Sequence, residues 1–407
     1  MEKRAQLWKL VQDVRASYWF LPSLLVLVGL LLAWLTEWID LNPEVLPISL
    51  PATFVNSQAD GARSTLAVIA QSIIGVTGVM FSMTLVAVSF ASGNFGPRLI
   101  GNFMRDRGNQ WSLGILISTF VYAVVILSSV QDDLNGDVEA FVPQYSLLLA
   151  LVLTLVCVFT LIFFIHHVPE TINVSRISAG LGNRLEIMIR ELIDRDCPDD
   201  TGSDWHKTSP TCTITATNSG YIQTCNMNRL RNLATDNDLF IQMQPDVGDF
   251  VTTTTVVFAI WSADDLTERD IDAIRACYAV GTSRTENQNP TFLAEQLVEM
   301  AARALSPGLN DPYTAQDCLN RLAAALTVAM TYQGGLDPVQ GERVRAQDLT
   351  FERLFAVTFP LCRQYVRADT MTRTHALSLL DALYADARPR DKGVIEAERQ
   401  ALSRSDK

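Results

Sequence analysis

Residues 65–96 read TLAVIAQSIIGVTGVMFSMTLVAVSFASGNFG, an apolar run in which small and polar residues recur at alternating steps of four and three. The recurring positions are Gln71, Gly75, Gly78, Ser82, Leu85, Ser89, Ser92 and Gly96. That spacing is the seam of a heptad helix, so these residues share one stripe. The other faces carry Ile73, Ile74, Val76, Met80, Phe81, Val86 and Phe90, which suit lipid or an apolar neighbour. In a bilayer, small and polar groups turn away from lipid. The stripe is therefore expected to face either another helix or a water-filled path.

Working outward, three more apolar runs are as long, roughly 18–38, 111–130 and 145–165. Crossing ~30 Å of hydrocarbon takes about 20 helical residues, so the chain reads as four transmembrane helices. Tyr18, Trp19, Trp34, Trp38, Trp111 and Tyr145 mark several ends, where an amphipathic ring favours the headgroup zone. Lys3, Arg4, Lys9 and Arg15 precede the first span, and Arg98, Arg105 and Arg107 fill the second loop. The first loop has only Arg63 among acids, and the third has Asp132, Asp133, Asp137 and Glu139. The positive-inside rule then places both termini and the second loop in the cytoplasm. The first span lacks a small-residue cleavage site and reads as an uncleaved anchor.

The chain has 407 residues, 48% hydrophobic, with a formal net charge of −12. An acidic protein of this kind is not expected to bind nucleic acid. Seven Cys without a C-x-x-C pair read as free thiols in a reducing compartment. After His166 the long apolar runs stop. The expected organisation is a transmembrane domain over 1–168, a linker helix and β-rich unit over 169–261, a helical unit over 262–390 and a charged flexible tail over 391–407. The fold class is a membrane protein with a cytoplasmic α+β domain, its short Thr- and Val-rich strands forming a small β-barrel or sandwich-like unit. Strands are expected over 213–216, 221–223, 239–243 and 250–260. Helices are expected over 268–279, 290–305, 312–331, 348–365 and 372–387. Between the second and third spans, Pro97 opens a short amphipathic helix that Gly108-Asn109 ends. Its Arg98, Arg105 and Arg107 are candidate lipid-binding residues.

Enzyme motifs are missing: no P-loop, dinucleotide fingerprint, nucleophile elbow or H-E-x-x-H occurs, and the chain holds only four His. No catalytic residue, metal or cofactor is called for. His166, His167 and Glu170 could approach a metal, but a helix end with protonatable rings is the plainer explanation. Ser306-Pro307-Gly308-Leu309-Asn310-Asp311-Pro312 reads as a helix–turn–helix corner, with Asp311 as N-cap and Pro312 as first helical residue. The alternative is a ligand or subunit contact through Asn310 and Asp311, with Arg284 on a nearby polar loop.

Several segments together resemble one known family: Ser17–Pro22, Gly78–Phe90, Phe95–Leu99, Asn102–Gln110, Phe164–His167, Ser219–Tyr221 and Ala304–Pro312. The chain resembles the bacterial predicted membrane proteins called domain of unknown function 2254, over about 8–325. It departs from the expected pattern at Glu286 and Gln288, where an Asp is looked for. The resemblance implies an inner-membrane protein with a cytoplasmic C-terminal domain and supplies no activity.

The residues therefore carry the functional expectation. It is a homo-oligomeric ion channel lined by Gln71, Gly75, Gly78, Ser82, Leu85, Ser89 and Ser92, with Arg63, Asn94 and Arg98 at its mouths. Its partners would be the lipid bilayer, further copies of itself and inorganic ions. The competing expectation is a membrane-anchored sensor or scaffold, in which the stripe serves helix packing alone.

Overall fold

Long stretches of Leu, Val, Ile and Phe leave backbone groups no partner but their own helix, and four such stretches form helices. They are α1 (Phe20–Leu41), α2 (Ala59–Phe95), α3 (Arg107–Ser129) and α4 (Gln144–Thr171). All four are long and apolar enough to cross a membrane. The computed structural model describes residues 17–42, 44, 59–96, 106–131, 141–194, 208–336, 343–347 and 349–404. Contacts divide the chain into one unit up to Asn173 and a second from Val174 onward, Asn94–Gly96 being grouped with the second.

In the first unit α1 and α3 approach closely because small residues meet at the crossing. A Cβ on Gly29 would fall 2.4 Å from Ser118 Oγ, and one on Gly114 would fall 2.5 Å from Leu25. Ser118 Oγ donates across to the Leu25 carbonyl at 2.7 Å. Leu66, Ile73 and Met80 of α2 join Leu116, Tyr122, Ala150 and Phe164 in one buried cluster. At one end the helices share a polar lattice. Thr36 and Tyr122 hydroxyls lie 2.9 Å apart, and Tyr122 donates to the Ser146 carbonyl. Asp40 accepts from the Tyr145 and Ser146 backbone N–H groups at 2.8 and 3.0 Å, and from the Ser146 hydroxyl at 2.6 Å. A carboxylate of α1 thus caps the N-terminus of α4, where helix dipole and orphan donors favour an anion.

The second unit begins with amphipathic α5 (Val174–Ile193), whose Leu181, Leu185 and Ile189 are buried. Next come β1 (Cys212–Thr215), β2 (Gly220–Cys225), α6 (Met227–Asp236), β3 (Phe240–Met243), β4 (Phe250–Val251), β5 (Val256–Trp261), α7 (Glu268–Arg275) and β6 (Tyr278–Gly281). Then follow α8 (Pro290–Ala304), α9 (Pro312–Thr331), β7 (Val344–Arg345), α10 (Phe351–Ala356), α11 (Phe359–Ala368), α12 (Thr370–Asp386) and α13 (Lys392–Ser403). The strands make a four-stranded sheet, β1-β5-β3-β7, and a three-stranded sheet, β4-β2-β6. Ile214, Ile222, Ile241, Phe258 and Val344 lie in the core they share.

Several expectations change. Of the barrel and sandwich-like alternatives, the strands close no barrel among the described residues; they form two open sheets. Gly108 and Asn109 do not end a helix but lie in the first turn of α3, because Asp106 caps it by accepting from Asn109 N at 2.9 Å. The short helix expected after Pro97 lies outside the described residues. The run expected as helix through Ala279 switches to strand at Tyr278, where Tyr278 pairs with Cys225 and Val280 with Ile222. A short apolar run fits either element, and pairing decides. The single helix expected over 348–365 is two, because Pro360 can sit only in a helix's first turn. The reading of 391–407 as a flexible tail fails for α13. Its Ile395 and Leu402 are buried, and Glu398, 2% exposed, pairs with Arg363.

Candidate functional site

Helix α2 carries two seams. Ala62, Leu66, Ile69, Ala70, Ile73, Thr77, Met80, Thr84 and Ala91 are buried. Thr77 and Thr84 return their hydroxyls to the Ile73 and Met80 carbonyls, which hides two polar groups from the apolar contact. The second seam is the stripe. Gln71, Gly75, Gly78, Ser82, Leu85 and Ser89 are exposed, and Ser92 is half-buried. At about 100° per residue the stripe is centred roughly 150° from the packed seam. It therefore lies on the face turned away from the first unit's own core. A Cβ built on Gly75 or Gly78 meets nothing within 4 Å. Exposed Val68, Val79, Val86 and Phe90 flank it with apolar surface suited to lipid.

The expected mouth residues divide. Arg63 is half-buried and donates to the Val130 carbonyl at 3.1 Å, so it ties α2 to the end of α3. The side chain of Asn94 and all of Arg98 and Arg105 lie outside the described residues. Arg107 is exposed at the start of α3.

At that end of α3 the two histidines part. His166 lies 3.4 Å from Glu170 along the same helix. His167 crosses to Asp106, Nε2 to Oδ2 at 2.8 Å, and stacks on Phe163 with ring centroids 5.0 Å apart. Its ring occupies the space a Cβ at Gly108 would need, 2.4 Å away. Asp106 thus caps α3 and holds His167, joining α3 to α4. Among the described residues no three His, Cys, Asp or Glu side chains converge as a metal site. Sequence reasoning missed Asp106 because Gly108-Asn109 looked like a stop; the cap signal was the Asp itself, three residues before Asn109. It missed Asp40 because the partner lies 105 residues away.

In the second unit the corner folds as its residues dictate. Asp311 accepts from Thr314 N at 3.1 Å and from the Thr314 hydroxyl, while its own N–H donates to the Ala304 carbonyl at 2.8 Å. Asn310 supplies a left-handed turn residue, φ 47°, and its side chain is exposed. Arg284 is engaged elsewhere: it pairs with Glu295 and lies over the Phe292 ring at 4.8 Å. Gln288 bonds the backbone of Cys225 in both directions, at 3.0 and 3.1 Å, and Glu286 pairs with Arg184. The 284–288 loop therefore stitches β2, α5 and α8 together.

Burial pushes the Cys225 thiol up to about 12 and Cys277 up to about 11. Cys318 and Cys362 are raised by the same desolvation. Such thiols are poor nucleophiles at neutral pH.

The family model for the predicted membrane proteins DUF2254 matches residues 15–382. Among curated proteins, uncharacterized proteins of Mycobacterium bovis and of Mycobacterium tuberculosis strain H37Rv are each 29% identical to this chain over 391 residues. Each match covers 91% of this chain and 72% of the relative. No solved structure matches.

Proposed function

The chain belongs to the predicted membrane protein family DUF2254, and from that premise and the geometry of α2 we propose that it is a homo-oligomeric ion channel of the inner membrane. One observation carries the reading: the polar stripe of α2 lies opposite the seam that packs within the subunit. A polar face turned outward in lipid is unfavourable, and gathering several copies around an axis removes it from lipid. Around such an axis Ser89 and Ser92 offer hydroxyls to water or ions, Ser82, whose hydroxyl donates to the Gly78 carbonyl, offers oxygen lone pairs, and Leu85 forms an apolar constriction. The basic N-terminus and second loop favour an orientation with both termini and the second unit in the cytoplasm.

The test is cysteine accessibility in the assembled protein. Cys placed at Gly78, Ser82, Ser89 or Ser92 should react with small water-soluble thiol reagents, and Cys at Ile74 or Phe81 should not. Leu85→Asn should raise conductance in reconstituted bilayers, because hydrating the constriction removes a dewetting barrier. Silence at all four stripe positions, with no current from purified protein, would leave a second reading. In it the stripe is a dry contact between copies of a membrane-anchored scaffold. The open space beside Gly75 and Gly78 favours that alternative, since it admits a close neighbouring helix.

A further inference from the structure

An open groove of ≈ 300 Å³ runs between α3 and α4. Trp111 and Ile115 form one wall, and Val156, Phe159 and Phe163 the other. Its floor is Ser112 and Thr160, whose hydroxyls donate back to the Gly108 and Val156 carbonyls at 2.8 Å each. The polar atoms of the floor are thus consumed within each helix, and the groove presents hydrocarbon. Polar ties fix both ends: His167 to Asp106 at one, and Cys157 Sγ to the Thr119 hydroxyl, 3.3 Å, at the other. Along α4 the lining runs from Val156 to Phe163, about 10 Å at 1.5 Å per residue. That is about a third of a hydrocarbon layer ~30 Å thick, so the groove lies within the depth of one leaflet.

Charge at the mouth is asymmetric. Arg107 is exposed one turn before Trp111 on α3, and exposed His166 follows Phe163 on α4 with Glu170 beside it. Asp106 is turned inward onto His167 and the α3 backbone.

We infer that the α3–α4 groove is a binding site for one anionic diacyl phospholipid, an acyl chain lying along Trp111, Ile115 and Phe159 and the phosphate at Arg107. This rests on the membrane embedding of α3 and α4; the stripe of α2 takes no part, so failure of the channel reading leaves it standing. The groove lies within one leaflet and takes a segment of an acyl chain, its wall is apolar, and Arg107 sits one turn beyond Trp111, where the headgroup would lie.

The experiment uses the full chain in bilayers of equal phosphatidylglycerol and phosphatidylethanolamine, extracted in mild detergent and examined by native mass spectrometry. The wild type should retain one phospholipid per subunit, enriched in phosphatidylglycerol. Thr160→Phe and Ile115→Trp fill the groove from opposite walls, and each should lower retention roughly tenfold or more, a difference well outside packing noise. Val158→Phe, on another face of α4, should retain lipid as the wild type does, and unchanged melting temperatures would show that the variants fold. Arg107→Gln should keep the lipid but lose the preference for phosphatidylglycerol. Equal retention in wild type and both filled variants means annular lipid only and overturns the site. An unchanged headgroup preference in Arg107→Gln overturns the placement of the phosphate.

Discussion

Asp311 shows how much one side chain can organise. It accepts from both the backbone and the hydroxyl of Thr314, and losing such a cap costs about 1 kcal/mol. Asp311→Ala should therefore lower the melting temperature modestly while leaving assembly intact, read by calorimetry and by size in detergent. Reactivity of the thiols should follow burial. Cys212 is half-buried, while Cys157, Cys225, Cys277, Cys318 and Cys362 are buried. Among these described thiols, a water-soluble maleimide should label Cys212 first and Cys318 and Cys362 last, read by peptide mass mapping. His375 supplies a pH dependence. Burial holds its pKa below the usual 6.5, with Nε2 2.7 Å from Asn320 Oδ1. The folded state thus binds a proton less readily than the unfolded chain, and stability falls as pH drops below about 6.5 toward the depressed folded value. The fall in melting temperature between pH 7 and pH 5.5 should be smaller in His375→Asn than in the wild type.

Helix α2 and the α1–α3 pair make the next contrast. Gly29 sits against Ser118 with no room for a side chain, so Gly29→Val should cost about 1–3 kcal/mol through overpacking. Gly75 borders open space, so Gly75→Val should leave the melting temperature unchanged and, if the proposed assembly forms through the stripe, weaken crosslinking between copies. The existence of the four apolar helices was legible from composition, because twenty apolar residues in a row have few other outcomes. That α2 turns its stripe away from its own subunit was not legible. Both seams repeat at steps of four and three, and only contact with Leu116, Ala150 and Phe164 shows which one packs. The α3 start was misread for a local reason: Gly108 looked like a stop, whereas it is small because His167 needs the space.

Across the whole molecule, the second unit closes on its own C-terminus. α13 buries Ile395 and Leu402 and brings Glu398 to Arg363, and Arg399 pairs with Asp381 of α12. Deleting 392–407 should expose this apolar face and strand Arg363, lowering the melting temperature by several degrees for each ~1 kcal/mol lost. The sequence hid this helix because its apolar residues are few and its charges many. The sheets were legible as short Thr- and Val-rich strands, with the barrel and sandwich-like arrangements both left open. The parallel pairing of β3 with β7 joins Ile241 to Val344 across about a hundred residues, which no local pattern encodes. The corner at Ser306–Pro312 was legible in full, since cap, turn and first-turn proline all act on adjacent residues.

The carboxylate of Asp40 carries a consequence for how the protein is made. Of the four apolar helices described, it belongs to the first to leave the ribosome, while the helix end it caps belongs to the last. Until Tyr145 and Ser146 arrive, that anion has no helix end to neutralise, and Glu37 likewise waits for Ser129. The tie between α1 and α4 is therefore the contact made last among the four helices. Asp40→Ala should remove the cap of α4 and lower the melting temperature by the loss of about 1 kcal/mol, read by calorimetry.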